Sequence, residues 1–461
     1  MRDLTRDSIV IHILCVAGST AIGLLAHLAY QLVDLYFVST LGAAAIAGLT
    51  AASSAMLIVN AVTHILGVAT VTLMAHAVGR KDRSEANVLF NQSVGFAVTI
   101  GILTVGLLCA LTPPYLRSVA AEPAVVEAGA QFMFWLMPGI ALMFPMTAIS
   151  SGLRGMGLVQ ATMYIYVLSV IVNALLAPIL IVGWGTGVPL GVKGAGLATS
   201  LSMAVGLVLF VAYFRRVERY VALEPGLMRP QPAHWRRMLK VGLPAGGDFT
   251  LTFLATAVAY YAIRDLGTVV QAGFGIGSRI LQAILLPALS IGFAAGLIAG
   301  QSFGAKDGQR IQQTFRTAAY LSSIAMLAIL LLIQWQPAAL LRVFQADPAT
   351  LAVAASFLQI ASWALIAQGM SYVCSSMFQA MGNTVPLLMT SMARFLSFAI
   401  PALVLALRPD LQAWQIWYAL TASLFLQALI SALLLRVEFR KRLPSAVQQR
   451  GKMPSAALAP K

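Results

Sequence analysis

The sequence predicts an all-α membrane protein with about twelve transmembrane helices, arranged as two six-helix bundles. Its composition is the first reason. Hydrophobic residues make up 59% of the 461 residues and charged residues only 10%, whereas about a quarter of the residues in a soluble domain are charged. The second reason is that the apolar residues form long runs, each sufficient for the roughly 20 residues that cross a bilayer.

Short polar loops separate these apolar runs and mark where each span begins and ends. Several spans are longer than a bilayer requires, so we expect tilted, kinked or overlong helices. Strands of a membrane β-barrel alternate apolar and polar residues, and the continuous apolar runs do not fit that pattern. The predicted spans are 8–38, 44–76, 89–112, 125–153, 159–183, 191–214, 238–263, 268–302, 316–335, 349–378, 385–407 and 412–436.

Lysine and arginine (30 residues) outnumber aspartate and glutamate (15 residues), which gives a formal charge of +15. The basic residues lie in short clusters between apolar runs, and no groove-reading or base-stacking element accompanies them, so nucleic acid is not an expected partner. When the termini and the even-numbered loops are placed in the cytoplasm, most basic residues fall on that side. The positive-inside rule therefore predicts that both termini are cytoplasmic.

The two halves of the chain repeat each other at one constant offset. The matched pairs are Leu41-Gly42 with Leu266-Gly267, Ser150-Ser151 with Ser375-Ser376, and Met156-Gly157 with Met381-Gly382. Repeats of this kind place a substrate site between the halves, near the middle of the membrane. A charged, proline-rich stretch between the halves indicates a linker. The predicted domains are an N-terminal bundle (1–214), a cytoplasmic linker (215–237), a C-terminal bundle (238–440) and a basic cytoplasmic tail (441–461).

Of the acidic residues, only Asp34 and Asp248 lie well inside predicted spans. An ionisable side chain in hydrocarbon is costly and usually faces an ion or substrate pathway. Asp34 is near the outer end of the first span, and Gln31 and His27 lie one and two turns before it on the same helical face. We expect Asp34 to couple transport to an ion and to bind substrate with Gln31 and His27. The alternative is a structural aspartate that hydrogen-bonds a neighbouring helix.

Asp248 lies one turn after Pro244 in the seventh predicted span, where a proline frees a backbone carbonyl and marks a kink. It is a further candidate for substrate binding. The alternative is an ion pair with Arg279 or Arg394, the basic residues that lie well inside predicted spans. Asn173, in the fifth span, is a candidate to coordinate a cation or to hydrogen-bond the first-span carboxylate.

The sequence contains no motif that indicates catalysis. It lacks a Gly-x-x-x-x-Gly-Lys-Ser/Thr phosphate loop, a Ser/His/Asp or Cys/His set and a His-Glu-x-x-His motif. The three cysteines have neither metal-ligand nor disulfide spacing. We therefore predict a secondary transporter that uses H+ or Na+ as its coupling ion, with no enzymatic activity, no metal and no other cofactor. A membrane enzyme or receptor is disfavoured, because the chain also lacks an extramembrane domain.

Several motifs resemble those of the multidrug and toxic compound extrusion (MATE) family, over residues 5–440. They are Val33-Asp34 followed by Leu41-Gly42, Ser-Ser-Gly-Leu-Arg-Gly-Met-Gly at 150–157, Gly-Val-Lys-Gly-Ala-Gly at 191–196, Gly-Ile-Gly-Ser-Arg at 275–279, and Gly300-Gln301 through Gly304-Ala305. The chain is most similar to the bacterial DinF-like branch, because the acid of the first helix dominates.

The resemblance implies two bundles of six helices around a central cavity, and export of cationic or amphipathic compounds in exchange for protons or sodium ions. It also implies that Asp34 is the coupling carboxylate and that Asn173 is its neighbour. We expect a monomer in the bacterial inner membrane, with the lipid bilayer and small cationic or amphipathic molecules as partners. The 19 methionines and the aromatic side chains suit an adaptable pocket for such cations, although most are expected to pack or to face lipid.

The sequence departs from the family pattern at three positions. Thr252 stands where some branches carry a glutamate on the seventh helix, and Ala367 stands near the position of a tenth-helix aspartate. Both departures weaken a sodium site in the C-terminal bundle, so protons are favoured over sodium ions. Ser19 stands where a proline is associated with bending of the first helix, which leaves Gly18 and Gly23 as flexible positions.

A lipid-linked oligosaccharide flippase of the same wider superfamily is the rival prediction. It requires an anion-binding cavity with several inward basic residues, and only Arg279 and Arg394 lie well inside the predicted spans. We therefore predict proton-coupled antiport. In this mechanism deprotonated Asp34 holds a cationic substrate, and protonation from the outside neutralises the carboxylate and releases the substrate.

Overall fold

A computed structural model of the chain describes residues 4–119, 122–216, 220–336, 340–341 and 347–443. Within these ranges the regular secondary structure is helical and includes no strand. The helices are α1 Ile9–Ser39, α2 Ala43–Gly79, α3 Arg83–Val119, α4 Pro123–Gly155, α5 Val159–Ala177, α6 Val192–Arg216, α7 Pro232–Ala262, α8 Thr268–Ile284, α9 Leu286–Gly304, α10 Gly308–Trp335, α11 Pro348–Ser362, α12 Leu365–Ala380, α13 Val385–Ala406 and α14 Ala413–Arg442. A π-helical turn, Pro178–Val182, extends α5.

The number of membrane-spanning helices agrees with the prediction. Among the described residues, 11 helices are long and apolar enough to cross a membrane, and the number rises to 12 when the bent pair α11 and α12 is taken as one span. The all-α class with about twelve transmembrane helices is therefore confirmed.

The predicted span 268–302 consists of two helices, not one. Helix α8 ends at Ile284 and α9 begins at Leu286. Pro287 follows directly, and its ring nitrogen has no hydrogen to donate to the carbonyl of Ala283. Hydropathy did not predict this break, because it records the apolar character of a proline and not its missing backbone donor.

The predicted span 349–378 is also interrupted, by a bend of 58° between α11 and α12. At the bend, the N–H of Trp363 donates to the carbonyl of Ile360, three residues back, at 3.4 Å. Gln334 of α10 reaches the bend and donates through Nε2 to the carbonyl of Gln359 and to Ser362 Oγ, both at 2.9 Å. A break inside a membrane span is stable where neighbouring side chains satisfy the freed carbonyls. The bend between α11 and α12 is therefore supported by a side chain from another helix, Gln334 of α10.

The described chain forms two compact units, and each unit takes one segment from the opposite half of the sequence. Unit 1 contains Gly18–Phe249, and unit 2 contains Leu4–Ala17 and the chain from Thr250 onward. Helices α1 and α7 therefore each contribute to both units. The functional bundles at 1–214 and 238–440 stay a prediction. The boundaries of the compact units lie elsewhere, between Ala17 and Gly18 in α1 and between Phe249 and Thr250 in α7.

Residues 220–231, which lie in the predicted linker 215–237, belong to unit 1, and residues 232–237 of that linker begin α7. Side chains of α3 bind the backbone of residues 220–231. Asn91 donates through Nδ2 to the carbonyl of Ala222 and accepts from the N–H of Glu224, each at 2.8 Å. Gln92 donates through Nε2 to the carbonyls of Leu227 and Arg229, at 2.6 and 2.7 Å. The segment is therefore fixed along α3.

The segment before α1 is held on unit 2 in a comparable way. Leu4 is fully buried, and its N–H donates to Gln301 Oε1 at 3.0 Å. The Arg310 guanidinium donates to the carbonyls of Leu4 and Arg6, at 2.8 and 2.7 Å. In both halves the segment that precedes the first helix is thus bound by polar side chains through its backbone.

Glycines of the family motifs allow helices to pack closely in unit 1. A Cβ atom at Gly196 of α6 would lie 2.6 Å from the carbonyl oxygen of Phe132 in α4. A Cβ atom at Gly155 of α4 would lie 2.6 Å from the Cβ of Met74 in α2. Small residues at such contacts are typical of membrane helix packing, where van der Waals contact replaces the hydrophobic effect. Helix α4 therefore packs against both α2 and α6 through glycines.

The core of unit 2 is an aromatic cluster from three helices. Phe274 of α8 stacks on Trp417 of α14, with ring centroids 5.1 Å apart. Phe357 of α11 meets Trp417 edge-on, also at 5.1 Å. Gly277 makes room for Phe357, because a Cβ at that position would lie 2.5 Å from the ring. This glycine belongs to the 275–279 motif, whose role here is packing.

Asp347 caps the N-terminus of α11 through three hydrogen bonds. Its carboxylate accepts from the Thr350 hydroxyl at 2.6 Å and from the N–H groups of Ala349 and Thr350 at 3.0 and 3.2 Å. These bonds, the one from the Thr350 hydroxyl first, hold the pKa of the Asp347 carboxyl below its ordinary value of 3.8. A carboxyl whose pKa is lower in the folded chain stabilises the fold above its ordinary pKa, and that contribution is lost as the pH falls through the folded value.

We expect Asp347→Ala to lower the thermal midpoint at pH 7, and the difference from the wild type to shrink as the pH falls below 3.8. Thermal melts of both proteins in detergent across acid and neutral pH check this. Glu122→Ala is the matched control. Glu122 precedes a proline at the start of α4 in the same way, but its side chain makes no capping hydrogen bond. Equal losses in the two variants would show that the cap of Asp347 contributes nothing.

Candidate functional site

The first-span residues predicted to bind ion and substrate, His27, Gln31 and Asp34, all fall within helix α1. They lie in the part of α1 that belongs to unit 1. Their side chains lie outside the described part of the structure. Their roles therefore stay predictions from the sequence.

Asn173 of α5 is the described candidate with the strongest structural signal. It is fully buried, and neither its Nδ2 nor its Oδ1 has a hydrogen-bond partner among the described residues. Ser169 lies one turn earlier on the same face, and its Oγ is likewise buried without a partner there. Buried polar groups are almost always hydrogen-bonded, and each exception needs an explanation such as a bound water, ion or ligand.

The polar pair Asn173 and Ser169 lies in a closely packed region of unit 1. A Cβ atom at Gly206 of α6 would lie 2.5 Å from Ser169 Oγ and 2.8 Å from the methyl of Met146. Helix α5 continues into the π-helical turn Pro178–Val182, one turn after Asn173, and π-helical turns occur frequently at functional sites. Helices α4, α5 and α6 of unit 1 thus position two polar side chains in its interior that lack a partner among the described residues.

Asp248 lies on α7, one turn after Pro244, and is half-buried. It belongs to unit 1, whereas Arg279 and Arg394 belong to unit 2. Arg279 is exposed on α8, and no salt bridge to it occurs in the described ranges. The predicted substrate role of Asp248 and its alternative, an ion pair with an arginine, both stay hypotheses.

Arg154 is a residue that the sequence analysis missed. The predicted fourth span ends at 153, so Arg154 was assigned to a cytoplasmic loop, but α4 extends to Gly155 and includes it. Its Nη2 donates to Ser151 Oγ at 2.9 Å, one helical turn earlier. Its Nε is buried without a partner in the described structure. The signal in the sequence was the spacing of Ser151 and Arg154, which places them on one helical face.

Three more polar groups of unit 1 lie near Arg154. Ser150 Oγ lies 3.2 Å from Tyr166 Oη, and both Tyr166 and His64 interact electrostatically with Arg154. These residues, His64, Ser150, Ser151, Arg154 and Tyr166, are called the Arg154 cluster below. The His64 ring stacks on Phe249, with centroids 5.5 Å apart. Unit 1 therefore contains a basic polar cluster besides its predicted acidic residue.

Comparison with known proteins gives a consistent result. The MatE family model matches residues 20–179 and 244–405, one segment in each half. The probable multidrug resistance protein YoeA of Bacillus subtilis is 24% identical, over 87% of this chain and 88% of that protein. The probable multidrug resistance protein NorM of Pseudomonas aeruginosa is 26% identical, over 94% of this chain and 90% of that protein.

A solved structure has the same fold. The crystal structure of MATE in complex with MaL6 matches with a TM-score of 0.88 at 22% identity, over 95% of this chain and 98% of that chain. The family model covers most of both halves, and the spans, the repeat and the motifs agree with it. The chain therefore belongs to the MatE family and is a membrane transporter, not an enzyme.

Proposed function

We propose that this protein is a secondary active antiporter that exports cationic or amphipathic compounds, as in multidrug efflux, in exchange for protons. The observation that carries the proposal is the buried amide of Asn173, which has no hydrogen-bond partner among the described residues and fits a site that is completed by an ion, a water or a substrate. The relatives YoeA and NorM are both named as probable multidrug resistance proteins. Neither is named as a flippase, so the flippase prediction gains no support.

Protons are the favoured coupling ion because of the distribution of acidic residues. Sodium ions bind best to several oxygen ligands that include carboxylates, and unit 2 has Thr252 and Ala367 at the positions where some branches carry acids. A single carboxylate, in contrast, suffices to bind a proton. Asp34 would hold a cationic substrate when it is ionised and release it when it is protonated, so that substrate and proton compete for one group.

The lysine and arginine asymmetry supports a bacterial inner-membrane protein with both termini in the cytoplasm. The predicted cytoplasmic side includes the segment before α7 and the ends of α2 and α4. Export would then begin at this side. We further propose that the protein belongs to the DinF-like branch of the family and functions as a monomer.

Dye flux in proteoliposomes tests this function. Purified protein is reconstituted into vesicles loaded with a cationic rhodamine, and either a pH gradient or a sodium gradient is imposed while the membrane potential is clamped. We expect an acidic outer medium to accelerate dye efflux at equal sodium concentrations, and a sodium gradient at equal pH to have little effect. Vesicles without protein are the control. Efflux driven only by the sodium gradient would contradict proton coupling, and no efflux under either gradient would contradict export.

A further inference from the structure

The Arg154 side chain is half-buried with its Nε fully buried, and its guanidinium has no counter-ion among the described residues. The salt bridges among the described residues involve the arginines Arg80, Arg237, Arg264 and Arg442. Among the described residues, Arg154 has a neutral hydroxyl, Ser151 Oγ, as its one hydrogen-bond acceptor, and its Nε has no partner there. A buried charge usually needs an opposite charge or several hydrogen bonds, because its desolvation costs several kcal/mol.

The groups around Arg154 are suited to an anion and not to a cation. The Ser151 hydroxyl lies 2.9 Å from Arg154 Nη2, and the Tyr166 hydroxyl, 3.2 Å from the Ser150 hydroxyl, interacts electrostatically with Arg154. His64 adds an imidazole within electrostatic range. No carboxylate occurs among the described contacts of this cluster. An arginine that presents free N–H donors beside hydroxyls is the usual arrangement for binding a carboxylate or phosphate.

The Arg154 cluster is partly exposed and has a neighbouring aromatic surface. Arg154, His64 and Tyr166 are half-buried and not sealed from their surroundings. Helices α2 and α4 come close here, since a Cβ atom at Gly67 would lie 3.4 Å from Ser151 Oγ. The stacked pair of His64 and Phe249 offers aromatic faces beside the charge. A planar aromatic compound with an acidic substituent has matching chemistry.

We propose that the Arg154 cluster is an oxyanion subsite of unit 1, which binds the carboxylate or phosphate group of a zwitterionic aromatic substrate. The proposal rests on the export function proposed above, because that function supplies the substrate. Arg154 lies in the last turn of α4, at the end predicted to be cytoplasmic, where a compound to be exported enters. The substrate's cationic group is left for Asp34. The two charges of unit 1 would thus select compounds that carry both signs.

Two matched pairs of fluorescent probes test the subsite by equilibrium binding to the purified full-length protein. One pair is a rhodamine with a free carboxylate and its methyl ester, and the other is riboflavin monophosphate and riboflavin. We expect the wild type to bind the acid of at least one pair about tenfold to a hundredfold more tightly than its neutralised partner, the effect of charge-assisted hydrogen bonds. The pair that shows the difference identifies carboxylate or phosphate as the preferred group.

Arg154→Gln should bring the two dissociation constants of that pair close to each other. Tyr166→Phe should reduce their ratio by about fivefold, the effect of one hydrogen bond of about 1 kcal/mol. Arg117→Gln is the matched control, because it removes an equal charge from an exposed position at the end of α3, and it should keep the wild-type ratio. The thermal midpoint of Arg154→Gln should equal or exceed that of the wild type, because no ion pair is lost.

Discrimination that persists in both Arg154→Gln and Tyr166→Phe would overturn the subsite, as would a wild type that binds all members of both pairs equally well. A lower thermal midpoint in Arg154→Gln, without a change in the ratio, would make Arg154 a structural residue paired outside the described ranges. If the wild type bound neither the rhodamines nor the flavins, the export function itself would fail together with the subsite. Binding with equal affinity within both pairs would overturn the subsite alone.

Discussion

Asp34→Asn is expected to abolish export driven by a pH gradient while the protein remains folded. The asparagine amide has the shape of the carboxyl group but can neither ionise nor take up a proton, so the competition between proton and cationic substrate is lost. The measurement is dye efflux in liposomes that contain purified, monodisperse Asp34→Asn protein. Its thermal midpoint, measured in parallel, separates a loss of coupling from a loss of structure.

Asp248→Asn is the matched control for this experiment. Asp248 is the other acidic residue well inside a predicted span, and removing its charge should reduce efflux less than Asp34→Asn does. If Asp248 only stabilises a neighbouring arginine, the main effect of its replacement will be a lower thermal midpoint. Wild-type efflux rates in Asp34→Asn would contradict the prediction, and they would move the coupling role to Asp248.

Asn173→Leu is expected to lower the rate of dye efflux at least about tenfold, which corresponds to about 1.4 kcal/mol in the transport barrier. Its free energy of unfolding should stay unchanged or rise by up to about 2 kcal/mol, because the amide has no hydrogen bond to lose among the described residues and its burial costs free energy. Leucine has nearly the same shape. Efflux in liposomes and thermal melts of the same preparation measure the two effects.

Asn91→Leu is the matched control in the same unit, because it removes a buried amide that does have hydrogen-bond partners. Asn91 is also fully buried, but its amide donates to the carbonyls of Asn87 and Ala222 and accepts from the N–H of Glu224. Its replacement should lower the free energy of unfolding by about 3 kcal/mol, since three partly buried hydrogen bonds are lost at about 1 kcal/mol each. If Asn173→Leu destabilised the protein as much as Asn91→Leu, Asn173 would be a structural residue and not a binding residue.

The fold class and the order of the spans were predictable because lipid imposes a local rule. A chain segment in hydrocarbon must satisfy its own backbone groups and expose apolar side chains, so a run of about 20 apolar residues is sufficient evidence for a helix. The repeat was visible for the same reason, since Leu41-Gly42 and Leu266-Gly267 mark equivalent helix ends. The breaks at Leu285 and Trp363 do not change the hydropathy and were missed.

Prediction of the candidate site was only partly possible. Asp34, Asp248 and Asn173 stand out because a polar residue in a long apolar run is unusual, and this can be seen from one segment alone. Arg154 does not stand out, because an arginine one residue beyond a predicted span resembles an ordinary loop residue. Its burial depends on α4 extending to Gly155 and on the packing of α2 and α5 around it.

The helical class, the approximate number of spans, the internal repeat and the acidic residues within the predicted spans could all be read from the sequence. Each of these depends on residues that are close together in the chain or on a simple repeat. Tertiary contacts were needed to show which unit each end of α1 and α7 joins, which side chains support the bend at Trp363, and which buried groups lack a partner among the described residues. These features depend on contacts between residues far apart in sequence, such as Gln334 with Gln359 or Asn91 with Ala222, and only close packing of the folded helices brings such residues within hydrogen-bonding distance.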